Sequence, residues 1–488
     1  MFDLYQVWAL VGDLWWLFLM ANAIAVLITI VFVQKKRPES VLLWLLAFIV
    51  LPLVFVLIFY ILLGRDHRNR RRFREKAQMD REVELALASL KGDWFAVDLS
   101  KKGLGENESL ARLLYNSNRS SLTTDNEVKY YNEGGPLFED MLRSIQEAKR
   151  FVHMEFYIIR KDELSKRFAE ALEAKAREGV EVKLLMDAVG CHKLPRHYFQ
   201  GLREAGGRTA EFFPSPLRRI NLRINNRNHR KLLVVDGDVA YIGGYNIGME
   251  YTGRGELGYW RDCMVRVEGS GAIGAEMRFI LDWNFAARDK LRVQDYAPSS
   301  PGKGKAGLQV VSSGPDTESK AIEEQYLKMI LSAKEYVYIQ TPYFVPSEPI
   351  ICALITAAKS GVDTRVMMPS KPDHPFVYWA SLYNAGEVLR HGVRVHQFDK
   401  NGFIHSKLVV SDDRVVSIGS ANFDRRSFEL NFETNAVIYD KDLALQVKDS
   451  YIDDISAKCT ELTLQDYEKR GLRVRFMESI SRLYTPIA

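Results

Sequence analysis

The sequence predicts a duplicated α/β protein: two pseudo-twofold-related α/β halves behind an N-terminal two-helix membrane anchor. Three observations carry this. The N-terminus holds two long uncharged runs, the remainder repeats with an offset of about 180 residues, and one spaced motif occurs once per repeat. At 488 residues, with 47% hydrophobic and 26% charged side chains, the chain has room for two or three domains. That composition excludes disordered and collagen-like classes.

The anchor comes first. Leu14 to Val33 and Val41 to Leu63 carry no charge. At about 1.5 Å per helical residue each run reaches roughly 30 Å, the thickness of a bilayer's hydrocarbon core. Pro52 is tolerated in a membrane helix as a kink, and Trp15, Trp16, Trp44 and Tyr60 sit near the ends, where amphipathic rings favour the interface. A signal peptide needs a basic leading region, but Asp3 and Asp13 are the charges before Leu14.

Arg65 to Lys76 holds seven basic and two acidic residues, which accounts for the chain's whole net charge of +5. The rest sums to zero, which is not the footprint of a nucleic-acid-binding protein. This run argues for a cytoplasmic catalytic side and outweighs Lys35, Lys36 and Arg37 of the connector, which argue the opposite. It reads as a stop-transfer flank, as an attractor of anionic headgroups, or as both. The expected plan is a hairpin over 1–64, with spans near 14–33 and 41–63, then a basic neck and linker over 65–125. Half one follows over 126–296, a linker over 297–307 and half two over 308–488.

The halves are visible as parallel phrases. Ala148–Met154 and Gly179–Val182 open strands in the first; Ala333–Ile339 and Gly361–Thr364 repeat the plan in the second. Ala297–Gly304 between them is rich in Pro, Gly and Ser, with little to bury, and Lys101–Asn126 is a second soft region. Cys191, Cys263, Cys352 and Cys459 are scattered without a CxxC. That pattern excludes a disulfide framework and a zinc site, and suits a reducing compartment.

The chemistry lies in HxK(x4)D(x6)G(G/S)xN. Half one supplies His229, Lys231, Asp236, Gly243, Gly244 and Asn246; half two supplies His405, Lys407, Asp412, Gly419, Ser420 and Asn422. One chance match in a chain of this length has odds of about one in 10^5 from average residue usage. On a strand, His and Lys two apart share a face, and the following apolar run buries the strand. If the halves meet about a twofold axis, two His, two Lys and two Asn converge on one anionic tetrahedral group. No carboxylate cluster is present for a divalent metal. Paired imidazoles suggest covalent catalysis, one attacking phosphorus while the other moves the proton. Asp262 and Glu433, each about thirty residues after a motif His, are candidates to orient the rings. Asp236 and Asp412 read as structural, capping the turn after the strand.

These residues resemble the phospholipase D superfamily. Over the whole chain, the hairpin segment PLVFVLIFYILLGR, QTPYFVPSE (Gln340–Glu348) and SGPD (Ser313–Asp316) resemble the bacterial cardiolipin synthases. The resemblance implies two phospholipase D-like halves and a metal- and cofactor-independent phosphatidyltransferase that uses phosphatidylglycerol twice. It also implies an anionic phospholipid bilayer of the bacterial inner membrane as the setting. It assigns the nucleophile to His229 and acid/base duty to His405. Gly244 departs from the pattern where Ser is common; Ser420 keeps it.

Weaker features complete the reading. Arg218, Arg219, Arg223 and Arg227 read as a headgroup-steering cluster or as a solvated loop. Tyr343 and Phe344 read as core packing or as lining of the lipid path. Arg470, Arg473, Arg475, Phe476, Ile480, Leu483 and Tyr484 fit an interfacial helix or an ordinary terminal one. Hydrolysis at the same site, by a phospholipase or a tethered nuclease, and a non-catalytic scaffold are the competing functions. The neutral charge outside the neck speaks against the nuclease, and two intact motifs against the scaffold.

Overall fold

Alternating Val, Ile and Leu runs in both repeats assemble into one fifteen-stranded sheet in the computed structural model. The structure describes residues 15–17, 20, 74–81, 104–214, 226–299, 301–317, 319–399 and 401–484. The two predicted spans lie outside the described residues apart from Trp15, Trp16, Leu17 and Met20. No helix among the described residues is long and apolar enough to cross a membrane. Both halves belong to one unit, His67–Ser481.

Half one is preceded by α1 (Glu108–Asn118) and runs β1 (Thr123–Tyr131), α2 (Gly134–Glu147), β2 (Phe151–Phe156), α3 (Glu163–Arg177), β3 (Glu181–Asp187), β4 (Arg208–Phe212), β5 (Lys231–Val235), β6 (Val239–Gly243), β7 (Tyr259–Arg261), β8 (Met264–Glu268) and α4 (Ala272–Ala287). Half two runs β9 (Ala306–Ser313), α5 (Ala321–Ser332), β10 (Tyr336–Gln340), α6 (Glu348–Lys359), β11 (Asp363–Pro369), α7 (Pro375–Leu389), β12 (Arg394–Phe398), β13 (Gly402–Ile404), β14 (Leu408–Ser411), β15 (Val415–Gly419), β16 (Glu433–Tyr439), α8 (Lys441–Lys458) and β17 (Cys459–Leu462). A terminal helix, α9 (Leu472–Tyr484), follows.

The sheet order is β17-β12-β11-β10-β14-β15-β16-β9-β1-β8-β6-β5-β2-β3-β4. Read outward from the antiparallel β9–β1 pair, the halves mirror each other over seven strands, and β17 is an extra edge strand of half two. In each, three parallel strands, β2-β3-β4 or β10-β11-β12, continue into antiparallel ones. Helices cover both faces, so strands such as β2, β5, β10 and β16 are buried along their whole length.

Three segments differ from the sequence reading. Within the soft region 101–126, α1 buries Leu110, Ala111 and Leu114 in the core of half two beside Ile322, Met329 and Val437. Within the linker, the Ser299 and Gly302 amides donate to Asp238 and Asp125, both at 2.8 Å. A Cβ on Gly304 would fall 2.0 Å from the Asn126 backbone, so this crossing is tightly packed and only Gly fits there. In the neck, Lys76 is not at a lipid surface: it is buried, with Asp80 at 2.7 Å, Asp316 at 3.1 Å and Asp282 at 3.3 Å. An amine so enclosed keeps its charge because three carboxylates face it.

Candidate active site

Two short parallel contacts between the halves build the site. β7 pairs in parallel with β13, matching Arg261 to Ile404, so the next residues, Asp262 and His405, stand side by side. An isolated parallel bridge matches Asn228 to Phe432, so His229 and Glu433 follow side by side in turn. The His229 amide donates to the Phe432 carbonyl at 2.9 Å and the His405 amide to the Arg261 carbonyl at 2.7 Å. Each motif histidine is therefore held by the other half's backbone.

The carboxylate pairing is crossed accordingly. His229 Nδ1 lies 2.9 and 3.0 Å from the Glu433 oxygens, and His405 Nδ1 lies 2.5 Å from Asp262 Oδ2. Position in sequence puts Asp262 after His229 and Glu433 after His405; the fold exchanges them. With Nδ1–H given to a carboxylate, each ring keeps its lone pair on Nε2.

Lys231 opens β5 and Lys407 immediately precedes β14, the apolar strands having placed them beside their histidines. Lys231 Nζ donates to the His229 carbonyl at 2.5 Å; Lys407 Nζ donates to the His405 carbonyl and sits 2.9 Å from His405 Nδ1. Burial lowers both amines, Lys231 well below its ordinary value. Burial also lowers both imidazoles to about 4, Glu433 opposing this at His229 and Lys407 adding to it at His405. Lys407 also acts on His229 and Lys231 on His405, so the two motifs share one electrostatic field. Burial works against Glu433's charge, yet His229, Lys231 and the Ser420 hydroxyl hold it below the usual carboxylate range.

The asparagines are hydrogen-bonded. Asn246 accepts from the Ile158 amide at 3.1 Å and donates to the Tyr251 hydroxyl at 2.7 Å, and the Tyr251 ring stands 5.8 Å from that of His405. Asn422 Nδ2 donates to Asp424 at 3.3 Å, while its Oδ1 is buried without a partner. Asp236 and Asp412 take left-handed φ values of 57° and 52°, which Asp tolerates better than most residues. Their carboxylates do not cap their own turns. Each accepts three backbone N–H groups at the start of the neighbouring strand: Lys149–Phe151 at 2.7–2.9 Å, and Lys334–Tyr336 at 2.9 Å. Antiparallel pairing of β5 with β2 and β14 with β10 brings those strand ends together.

Several neighbours escaped the sequence reading. Tyr157 sets its ring edge-on to His229 at 4.8 Å and 5.2 Å from Lys231 Nζ. Trp260 and Phe403 stand 5.3 and 6.3 Å from the His405 ring. Arg230, between the motif His and Lys, donates to Asp282 at 2.5 Å and to Thr434 Oγ1 at 2.9 Å. Buried Glu155 accepts from Asn228 at 2.5 Å; burial and the charge of Asp282 push its carboxyl well above the usual range. No spacing rule marks these residues, since their partners come from distant strands.

Other expectations resolve as follows. Arg218, Arg219 and Arg223 lie outside the described residues. Phe344 is core; Tyr343 donates its hydroxyl to Asp373. All four cysteines are free. A cavity of about 550 Å³ in half one is lined by Met186, Cys191, Leu194, Phe199, Arg196 and Arg203, none of them a motif residue. Among the described residues no group of three His, Cys, Asp or Glu is placed to hold a metal.

Comparison with known proteins identifies the family. The sequence matches the family model described as "Cardiolipin synthase, PLD-like domain" over residues 141–269 and again over 326–455. It is 44% identical to the cardiolipin synthase of Staphylococcus aureus strain Mu50 over 94% of this chain and 93% of that one. It is likewise 44% identical to cardiolipin synthase 2 of Staphylococcus epidermidis strain RP62A, over 94% of both chains. The solved phosphatidylserine synthase of Haemophilus influenzae, 15% identical, shares the fold with a TM-score of 0.59, covering 77% of this chain and all of that one. With a family model matched once in each half, and relatives aligned nearly end to end, the chain belongs to the phospholipase D-type cardiolipin synthases.

Proposed function

We propose that this phosphatidyltransferase condenses two phosphatidylglycerol molecules into cardiolipin and glycerol through a phosphatidyl-histidine. The crossed pairing, His229 with Glu433 and His405 with Asp262, is the observation that carries the proposal. It gives two neutral imidazoles, each oriented through Nδ1, with two buried lysines beside them.

In the first step His229 Nε2 attacks phosphorus, the bond from phosphorus to the glycerol oxygen breaks, and His405 Nε2–H protonates that oxygen. In the second, His405 takes the proton from the primary hydroxyl of another phosphatidylglycerol. The resulting oxygen nucleophile displaces His229 from phosphorus. The charge of the bound phosphodiester favours the protonated form of His405 that step one needs. Lys231 and Lys407 offset the growing negative charge on the phosphoryl oxygens. One phosphodiester replaces another, so no nucleotide is consumed.

Purified full-length protein in bilayers of headgroup-labelled phosphatidylglycerol tests the reaction. Equimolar glycerol and cardiolipin are expected; phosphatidic acid alone would make the protein a hydrolase. His229→Ala should abolish a trapped phosphohistidine, whereas His405→Ala should still form one slowly. Loss of trapping in His405→Ala alone reverses the two roles. The setting is the bacterial inner membrane, spanned by the hairpin 14–63, with the catalytic unit on the cytoplasmic side. Exposed Cys352 reports on sidedness: an impermeant maleimide should label it in inverted vesicles and not in intact spheroplasts.

A further inference from the structure

The terminal helix α9 is built inside out for a water-facing element. Leu472, Phe476 and Ile480, spaced by four and hence on one face, are 83%, 64% and 38% exposed. Its sole acid, Glu478, is turned inward, gripped by Arg470 Nε at 2.8 and 3.0 Å beside buried Tyr467. Ser481 is buried as well. Arg473 and Arg475 remain exposed on the flanks, Arg475 donating to the Glu468 carbonyl at 2.7 Å. A soluble amphipathic helix hides its apolar stripe and shows its charges of both signs. This one hides its carboxylate and a serine, and shows Leu, Phe and Ile between guanidinium groups.

We infer that this face of α9 docks on an anionic lipid surface, inserting Leu472, Phe476 and Ile480 among the acyl chains with Arg473 and Arg475 at headgroup level. Charge selects the occupant. An outward helix face with cations and no carboxylate of its own complements phosphatidylglycerol-rich leaflets, and Arg stems can lie along the apolar boundary with their heads at the phosphates. The docking holds the catalytic unit against the leaflet that supplies both substrates. It rests on the reading that the substrate is an anionic bilayer lipid, and adds a contact separate from the hairpin.

The test uses the full-length protein with p-azidophenylalanine at position 476, reconstituted in phosphatidylglycerol/phosphatidylethanolamine vesicles and irradiated. A lipid adduct on α9 supports the inference; a crosslink to a second copy, or no adduct, overturns it. In parallel, the Leu472→Ser/Phe476→Ser/Ile480→Ser variant is assayed on vesicles and on monomeric dihexanoyl-phosphatidylglycerol in detergent. A fall of about tenfold in kcat/KM on vesicles, with the monomeric rate kept, is expected. Equal rates on vesicles, or equal losses on both substrates, would count against docking. Absence of cardiolipin from the unmodified enzyme on either substrate would instead defeat the proposed reaction, while the adduct would still report the surface.

Discussion

The two halves carry one motif in two different electrostatic settings. In the pair around His229, Glu433 also accepts from the Ser420 hydroxyl at 2.5 Å and from Asn431 at 3.2 Å. In the pair around His405, the shorter Asp262 accepts the imidazole at 2.5 Å and the Cys263 amide at 2.7 Å. The residue matching Ser420 is Gly244, and a Cβ there would fall 2.1 Å from Asp262 Oδ1. The departure at Gly244 is thus the steric counterpart of Asp in place of Glu. A shorter carboxylate reaches its histidine by occupying the space that a serine fills in the other half.

The same inequality recurs one layer out. Asp282 on α4 and Asp454 on α8 each hold a buried arginine, Arg230 at 2.5 Å and Arg261 at 2.8 Å. Asp282 is further joined by Arg278 and the neck's Lys76, each at 3.3 Å, and it faces Glu155; Asp454 faces Gln340. Although burial opposes it, Arg230, Arg278 and Lys76 hold Asp282 ionised. The neck is tied to the His229 side through Asp282 and buried Lys76, whereas the lysine beside Asp454 is the exposed Lys458 of the same helix, at 3.6 Å.

Four experiments can break or sharpen this comparison. The largest effect belongs to the crossed carboxylates. Glu433→Gln should lower kcat about 10^3- to 10^4-fold and remove the trapped phosphohistidine, by analogy with loss of a ring-orienting acid elsewhere. Asp262→Asn should be as slow yet leave the intermediate trappable; identical behaviour of the two would erase the division of labour. Next, Lys76→Met removes the buried cation shared by Asp80, Asp282 and Asp316 and should cost about 3–5 kcal/mol in chemical denaturation. A cost below about 1 kcal/mol would mean that the neck contributes little to half one.

A smaller effect concerns pH. Both motif imidazoles have folded-state values of about 4, below the unfolded-chain value of about 6.5. As pH falls the unfolded chain protonates first, so their contribution to stability is complete above about pH 6.5 and is lost toward pH 4. Thermal unfolding across that range should show a loss on the order of a few kcal/mol. His229→Gln and His405→Gln should each remove part of the slope, while His396, also lowered to about 4 by burial, keeps its own share. Unequal shares would show that the two halves differ electrostatically as well as sterically. The smallest effects probe the Gly–Ser exchange: Ser420→Ala should cost about tenfold in kcat through one lost hydrogen bond. Gly244→Ser should cost about 100-fold by displacing Asp262 from His405.

Much was legible before any coordinates. Residue spacing alone marked out His229, Lys231, His405 and Lys407, because a strand with a two-residue period needs its polar residues at fixed intervals. Asp262 and Glu433 were legible as candidates, but their exchange was not, since it depends on β7 meeting β13 and Asn228 meeting Phe432. The motif aspartates read as caps of their own turns, but their bonds go to strands some 80 residues away in sequence. Lys76 read as one cation of a stop-transfer or headgroup-attracting run, because composition reports charge and says nothing of the three carboxylates the fold would bring to it.

By itself the sequence determined the duplication, the mirrored α/β halves and the inventory of reactive side chains, since periodicity and motif spacing are properties of a single line of residues. Tertiary structure decided which carboxylate serves which histidine, why position 244 admits only glycine, where the neck's lysine goes and which face of α9 is left outward. Those are all contacts between residues far apart in the chain, set by how strands from opposite halves pair and by what burial requires of each charge.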